Sequence, residues 1–227
     1  MGIRTITIED LPKIIDYVVE TTFQDGFHKW FFPRKYEHPF AYRRWWTQYV
    51  RGHILRPNLY SYVYEEESTG KILGWVSMAP GENNDAPVDL DLSKNSRRER
   101  WLRKYWAHHD ALREKIRPNP CADKARLEYF FKVVSPGLKK TLFVGEDSRN
   151  WLLAELILDP AMQPQDSRDV CVKLLDHAKE QCHKDDVGFW ILTGGALIDE
   201  LKEYGFEWRH KIEVGNVSGD AMKLVEG

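Results

Sequence analysis

Trp151-Leu152-Leu153-Ala154-Glu155-Leu156-Ile157-Leu158-Asp159-Pro160 is the stretch on which the reading of this chain turns. From Trp151 to Leu158 a single charged residue, Glu155, interrupts an otherwise apolar run. A strand wet on one face alternates apolar and polar residues, whereas one covered on both faces is apolar nearly throughout. The run is therefore expected to be a central strand with helices on both sides. An ionised carboxylate is costly in such a place unless it is paired or used, so Glu155 is the first candidate for chemistry. It would serve as a general base; the structural alternative is a salt bridge to an arginine on a covering helix.

Working outward, Asp166 to Gln181 places Val170, Leu174, Leu175 and Ala178 on one helical side. Val187 to Leu192 reads as a second buried strand, and Ala196 to Tyr204 as a short helix closed by Gly205. Phe206 to Val214 and Asp220 to Val225 suit a final hairpin. On the N-terminal side, Ile3 to Thr7 alternates like a strand, and Thr7 to Pro12 carries a helix-start pattern. Pro39 to Ile54 is a second helix, and Leu59–Tyr64 with Ile72–Met78 form a hairpin turned at Gly70. Between them and the central strand, Ala79 to about Arg97 reads as a polar loop and Arg97 to Ile116 as a helix. Asp123 to Val134 is a further helix that should stop before Ser135-Pro136-Gly137.

The order is strand–helix–helix–strand–strand, a helical insertion, then strand–helix–strand–helix–strand–strand. It resembles that of the GNAT acetyltransferase superfamily, and four strings carry the likeness. Ile3-Arg4 through Glu9-Asp10-Leu11-Pro12 is similar to the family's first strand and helix start. Gly70-Lys71-Ile72-Leu73-Gly74-Trp75-Val76 resembles its early hairpin. Leu153, Leu156, Leu158 and Pro160 fit the L-x-x-L-x-V-x-P of its central strand, and Glu203-Tyr204-Gly205-Phe206-Glu207 resembles its penultimate helix ending. The likeness covers the chain apart from 79–150, where fungal-type members often carry a helical insert. It implies an α/β (α+β) three-layer domain over residues 1–227, with a central mixed sheet flanked by helices.

The resemblance further implies acyl transfer from acetyl-CoA to a small-molecule amine or hydroxyl. In that frame Leu156 and Leu158 would offer backbone amides to the acyl arm, and Ser167 and Arg168 would meet its diphosphate. The family's leaving-group acid, a tyrosine in Y-x-x-x-G-F, falls on Leu201, with Tyr204 the nearest substitute. The family's phosphate loop, Q/R-x-x-G-x-G/A, lets amides approach the diphosphate at a helix start. No glycine lies between Pro160 and Leu175; Asp169 and Cys171 occupy the glycine positions. Asp166 is expected to cap the helix, with Asp169 in the capping-box position, and Pro164 lacks an amide donor. Acetyl-CoA binding is thus expected to be weak or absent. Two other readings follow: an enzyme of this fold that performs a cyclisation, dehydration or decarboxylation without CoA, or a non-catalytic binding protein.

Composition narrows the rest. A formal net charge of −2 supplies no field to draw in nucleic acid or an anionic membrane. Cys121, Cys171 and Cys182 form no C-x-x-C pair, which argues against a zinc site and for a reducing compartment. The first residues lack a secretory apolar core and a myristoylation pattern, so a cytoplasmic protein without a membrane or metal partner is expected. Nothing matches a Ser-His-Asp triad, a P-loop or a dinucleotide fingerprint. His108 and His109, beside Asp110, are secondary acid–base candidates, with an ordinary polar helix turn as the alternative. Arg97, Arg98, Arg100, Arg103 and Lys104 suit a solvated helix face. Of the early aromatics, Trp30, Phe32 and Trp45 are expected to line a small-molecule substrate pocket.

Overall fold

The computed structural model describes residues 2–80, 96–145, 149–193 and 198–225. The strands are β1 (Gly2–Thr5), β2 (Tyr60–Glu65), β3 (Ile72–Pro80), β4 (Asn150–Leu158), β5 (Gly188–Thr193), β6 (Phe206–Val214) and β7 (Val217–Leu224). The helices are α1 (Leu11–Thr22), α2 (Gly26–Phe31), α3 (Pro39–Leu55), α4 (Arg97–Ile116), α5 (Lys124–Tyr129), α6 (Ser135–Leu142), α7 (Pro164–Asp185) and α8 (Ile198–Tyr204). The strands make one mixed sheet in the order β1-β2-β3-β4-β5-β7-β6, with three strands on either side of β4. Its β4–β5 pair is parallel and the others antiparallel. The strand expected at the centre is there.

Two apolar layers explain why. On one face Ile14, Val18, Tyr42, Trp46 and Val50 of α1 and α3 bury Trp75 and Ile157 of the sheet. On the other, Val170, Leu174 and Ala178 of α7 cover Val76, Met78 and Leu153. The α7 layer sits so close that a Cβ on Gly74 would lie 2.8 Å from Leu174 Cδ1. Ahead of α1, the Asp10 carboxylate accepts from the Thr7 amide at 2.8 Å and from the Arg4 guanidinium at 2.7 Å, tying the first helix to the edge strand.

Several local expectations change. The sequence pattern gives no sign of α2; it forms because Asp25, extended, accepts the His28 amide at 2.8 Å as an N-cap. Helix α7 begins at Pro164, so Asp166 is its third residue and not its cap, and the Gln163 cap makes no side-chain hydrogen bond. Proline is at home in a first helical turn, where its missing amide would go unbonded anyway. The chain also stays helical through Ser135-Pro136-Gly137, where a stop was expected: α5 passes by a π-helical turn, Phe130–Val134, directly into α6. The loop expected from Ala79 to about Arg97 starts later, since β3 runs on through Pro80; its residues 81–95, like the helix start expected at Ala196, lie outside the described residues.

Helices α4 and α5 pack along α3 and α2. Arg51 of α3 pairs with Asp110 of α4 and places its guanidinium 3.9 Å from the Trp106 ring centroid. The Asp123 amide donates to the Phe31 carbonyl at 2.8 Å, and Arg126 to the Trp30 carbonyl at 2.9 Å.

Candidate active site

Two irregularities in the sheet make the site. Ser77 opposes Glu155 across the β3–β4 ladder, while Met78 opposes Leu153, so Ala154 is an extra residue in a β-bulge. Such a bulge re-aims the side chain beside it. The β4–β5 pairing runs from Asn150–Gly188 to Leu153–Ile191 and stops, so the two strands part beyond that level. A cavity of about 360 Å³ opens at this split. Its floor includes Ala154, Glu155 and Leu192; its walls are aromatic, with Phe27 and Phe32 from the α2 region, and Trp45 and Tyr49 from α3. Trp45 and Tyr49 stack at 5.2 Å with a 12° interplanar angle, one helical turn apart.

Glu155 is the centre of this arrangement. Burial pushes its carboxyl up to about 7, against a hydrogen bond from the Tyr49 hydroxyl that favours the charged form. The same burial, together with the Glu155 charge, holds Tyr49 well above the usual phenol range. Among the described residues no arginine or lysine pairs with Glu155; its partner is Tyr49, so the salt-bridge alternative does not hold. Behind this pair, His53 Nδ1 lies 2.6 Å from Ser77 Oγ, and burial lowers His53 to about 4, which keeps it neutral. The carboxyl therefore rests on uncharged groups, the condition under which its proton affinity rises into the range useful for proton transfer.

A second titratable pair faces the same cavity. His28 Nδ1 lies 2.6 Å from Asp25 Oδ2, and both residues are in the lining. Burial by itself would raise the Asp25 carboxyl, but hydrogen bonds from the His28 ring and amide outweigh it and hold the group below its ordinary value. The sequence reading missed Asp25, His28 and Tyr49 as functional groups. The available signal was Asp25-x-x-His28, a cap residue followed three later by a histidine, which the surrounding aromatics masked.

The other candidates divide. Phe32 and Trp45 line the cavity. Trp30 is not in its lining, because the ring closes against Gly215 in the β6–β7 turn. Leu156 and Leu158 turn their side chains toward the α7 layer. Tyr204 donates to Asp176 of α7 at 2.7 Å, outside the cavity, and Leu201 is buried in the core. His108 is exposed on α4, and His109 borders a separate depression with Trp106 and Asp110. At the start of α7, Arg168 is engaged by Glu203, and the Ser167 amide already bonds the Gln163 carbonyl at 2.9 Å. With Pro164 lacking a donor and Asp166 bringing its own charge, this helix start does not fit a diphosphate.

No protein-family model matches the chain. No curated protein matches it either. Solved structures do. A Corynebacterium glutamicum protein described as histone acetyltransferase HPA2 and related acetyltransferase is 14% identical, with TM-score 0.61 over 100% of this chain and 96% of that one. The C-terminal condensation domain of Ebony, in complex with beta-alanyl-dopamine, is 10% identical, with TM-score 0.59 over 98% and 97%. A Staphylococcus aureus N-acetyltransferase is 14% identical, with TM-score 0.56 over 98% and 100%. The chain has the GNAT fold. The bulged central strand of this GNAT fold, and its split from β5, are what bring Glu155 to an open space. Among the described residues no cluster of three or more His, Cys, Asp or Glu is placed to hold a metal ion, and no helix is long and apolar enough to cross a membrane.

Proposed function

We propose that this GNAT-fold chain is an enzyme that transfers an acyl group from a thioester donor to a small aromatic amine, with Glu155 as general base. The observation that carries the reading is Glu155 itself: a carboxyl raised to about 7, on a bulge, at the mouth of the β4–β5 split. Past Leu153 the β5-facing backbone groups of β4 have no strand partner, and they are available to orient a donor carbonyl. Attack by the amine on that carbonyl releases a proton, which Glu155 accepts. Among the described residues the cavity lining contains the carboxylates Asp25 and Glu155 and no lysine or arginine, so it favours a cationic amine over an acid. The aromatic walls suit a flat ring. The amide of an aromatic amine in the Ebony complex is chemistry of the same kind.

Because the α7 start does not fit a diphosphate, the donor is read as held by its acyl arm and not by a nucleotide. That feature also favours a second reading, an enzyme acting on one small molecule without any acyl donor. The three free cysteines accord with a cytoplasmic protein. The test is thiol release and amide formation by the purified protein, using acetyl-CoA and acetyl-pantetheine against a panel of arylalkylamines. Turnover that falls by about 100-fold or more in Glu155→Gln is expected. Absence of thiol release with both donors across the panel would remove the acyl-transfer reading and leave the second reading and a non-catalytic binding protein.

A further inference from the structure

We propose that His28, held by Asp25, is a second catalytic group of this cavity, the one that removes the proton from the ammonium form of the acceptor. The inference rests on the acyl-transfer reading and begins from its stoichiometry. An alkylamine enters as RNH₃⁺ and leaves as an amide N–H, so it sheds two protons. Glu155 can take one of them on attack. A second acceptor has to face the same space, and it has to act first, because an ammonium nitrogen has no lone pair.

Among the residues of the lining, His28 is placed for this. It sits one turn into α2, whose cap residue is Asp25. Asp25 Oδ2 lies 2.6 Å from His28 Nδ1 and also accepts the His28 amide at 2.8 Å, so backbone and ring are fixed by one carboxylate. A carboxylate only accepts, so Nδ1 carries a proton, and in the neutral ring the lone pair is the one on Nε2. The His28 ring lies 5.2 Å from that of Trp46, which closes its other side. Several charged and titratable groups surround the pair: Tyr42 of α3 feels the Asp25 charge, and Lys29 of α2 bears on Lys35. Lys35, fully buried, donates to the Thr22 carbonyl at 3.0 Å and to the Asp25 carbonyl at 3.3 Å, and burial lowers it to about 8. Glu155 and Tyr49 line the cavity beyond. The Asp25 carboxylate is therefore available to balance an imidazolium. No tyrosine competes for the role from α8, since Tyr204 is committed to Asp176.

The steps balance. The ammonium N–H bond breaks, its electron pair stays on nitrogen, and the proton goes to His28 Nε2. The free amine attacks the thioester carbon, and its second proton passes to Glu155. The C–S bond then breaks with its pair on sulfur, and Glu155 passes its proton to the thiolate. The imidazolium gives its proton to solvent, so the sum is one ammonium and one thioester giving an amide, a thiol and a proton.

The experiment compares two acceptor classes in wild type, His28→Gln and Asp25→Asn. Asparagine caps a helix as well as aspartate, so the second variant keeps α2 and removes only the charge. With an arylalkylamine, which is protonated at neutral pH, His28→Gln should lose about 100-fold in kcat/KM and Asp25→Asn a smaller factor of about 10. With an arylamine, which is neutral at the same pH, both variants should stay within about threefold of wild type. On the arylalkylamine, His28→Gln should recover as pH approaches the amine's own pKa. Equal losses on both acceptors, or no loss on either, would overturn the assignment of His28 and leave acyl transfer standing. A wild type that acylates neither acceptor would remove the acyl-transfer reading, and this inference with it.

Discussion

Replacing Glu155 by glutamine should make the protein more stable and less active at the same time. The carboxyl moves from 4.5 to about 7 on folding, which corresponds to roughly 3 kcal/mol by which its charged form disfavours the folded state. The sign follows from which state ionises first. Between pH 4.5 and 7 the unfolded chain has released this proton and the folded chain has not, so stability falls as pH rises through that window. Below it both states are protonated and the penalty vanishes; above it the full penalty remains. Glutamine keeps the shape and can still accept from Tyr49, but it has no charge to desolvate. Urea unfolding of both proteins at pH 5, 6, 7 and 8, followed by the fluorescence of the nine tryptophans, reads the difference directly. The gap in favour of Glu155→Gln should widen across the series toward about 3 kcal/mol and then level off. His53 titrates in the opposite sense, its folded form losing stability as pH falls from 6.5 toward about 4, but it is present in both proteins and cancels. Parallel stability curves would refute the claim that Glu155 is desolvated, and with it the basis for calling it a base.

Gly74→Ala should destabilise by about 1–3 kcal/mol in the same assay, because the new Cβ lies 2.8 Å from Leu174 and 3.0 Å from Leu158 in a filled layer. Asp110→Asn should cost about 2–4 kcal/mol and expose α4 to protease, since Arg51 is 8% exposed and would lose its charged partner. Exchanging acetyl-CoA for acetyl-pantetheine should change kcat/KM by less than about threefold, and a loss of orders of magnitude would mean that the nucleotide is gripped after all. Replacing both Asp166 and Asp169 by glycine should cost about 1–2 kcal/mol of helix stability while raising CoA affinity in calorimetry.

The order of the strands and the central place of β4 were legible because they follow from periodicity, and periodicity is local. A near-continuous apolar run is covered on both faces wherever it lies, and Trp151 to Leu158 is covered so. Glu155 stood out for the same reason, as the charge that such a strand does not otherwise carry. The lack of glycine between Pro160 and Leu175 is equally plain in the residues themselves, and it tells against a diphosphate site because only glycine lets the backbone come close enough. The cap was misplaced because Asp166 and Gln163 both precede the apolar stripe, and only the path of the chain out of β4 decides where the first turn closes. Trp30, Phe32 and Trp45 looked alike in sequence; which of them met a cavity depended on the β6–β7 turn, whose Gly215 draws Trp30 away. Asp25, His28 and Tyr49 come from two different helical segments and meet Glu155 of the sheet at one cavity. No spacing along the chain records that meeting, since it is set by how α2 and α3 lie across the sheet. The bulge at Ala154 belongs to the same class: it is a mismatch between two strands, and a property of a pair cannot be read from either member alone.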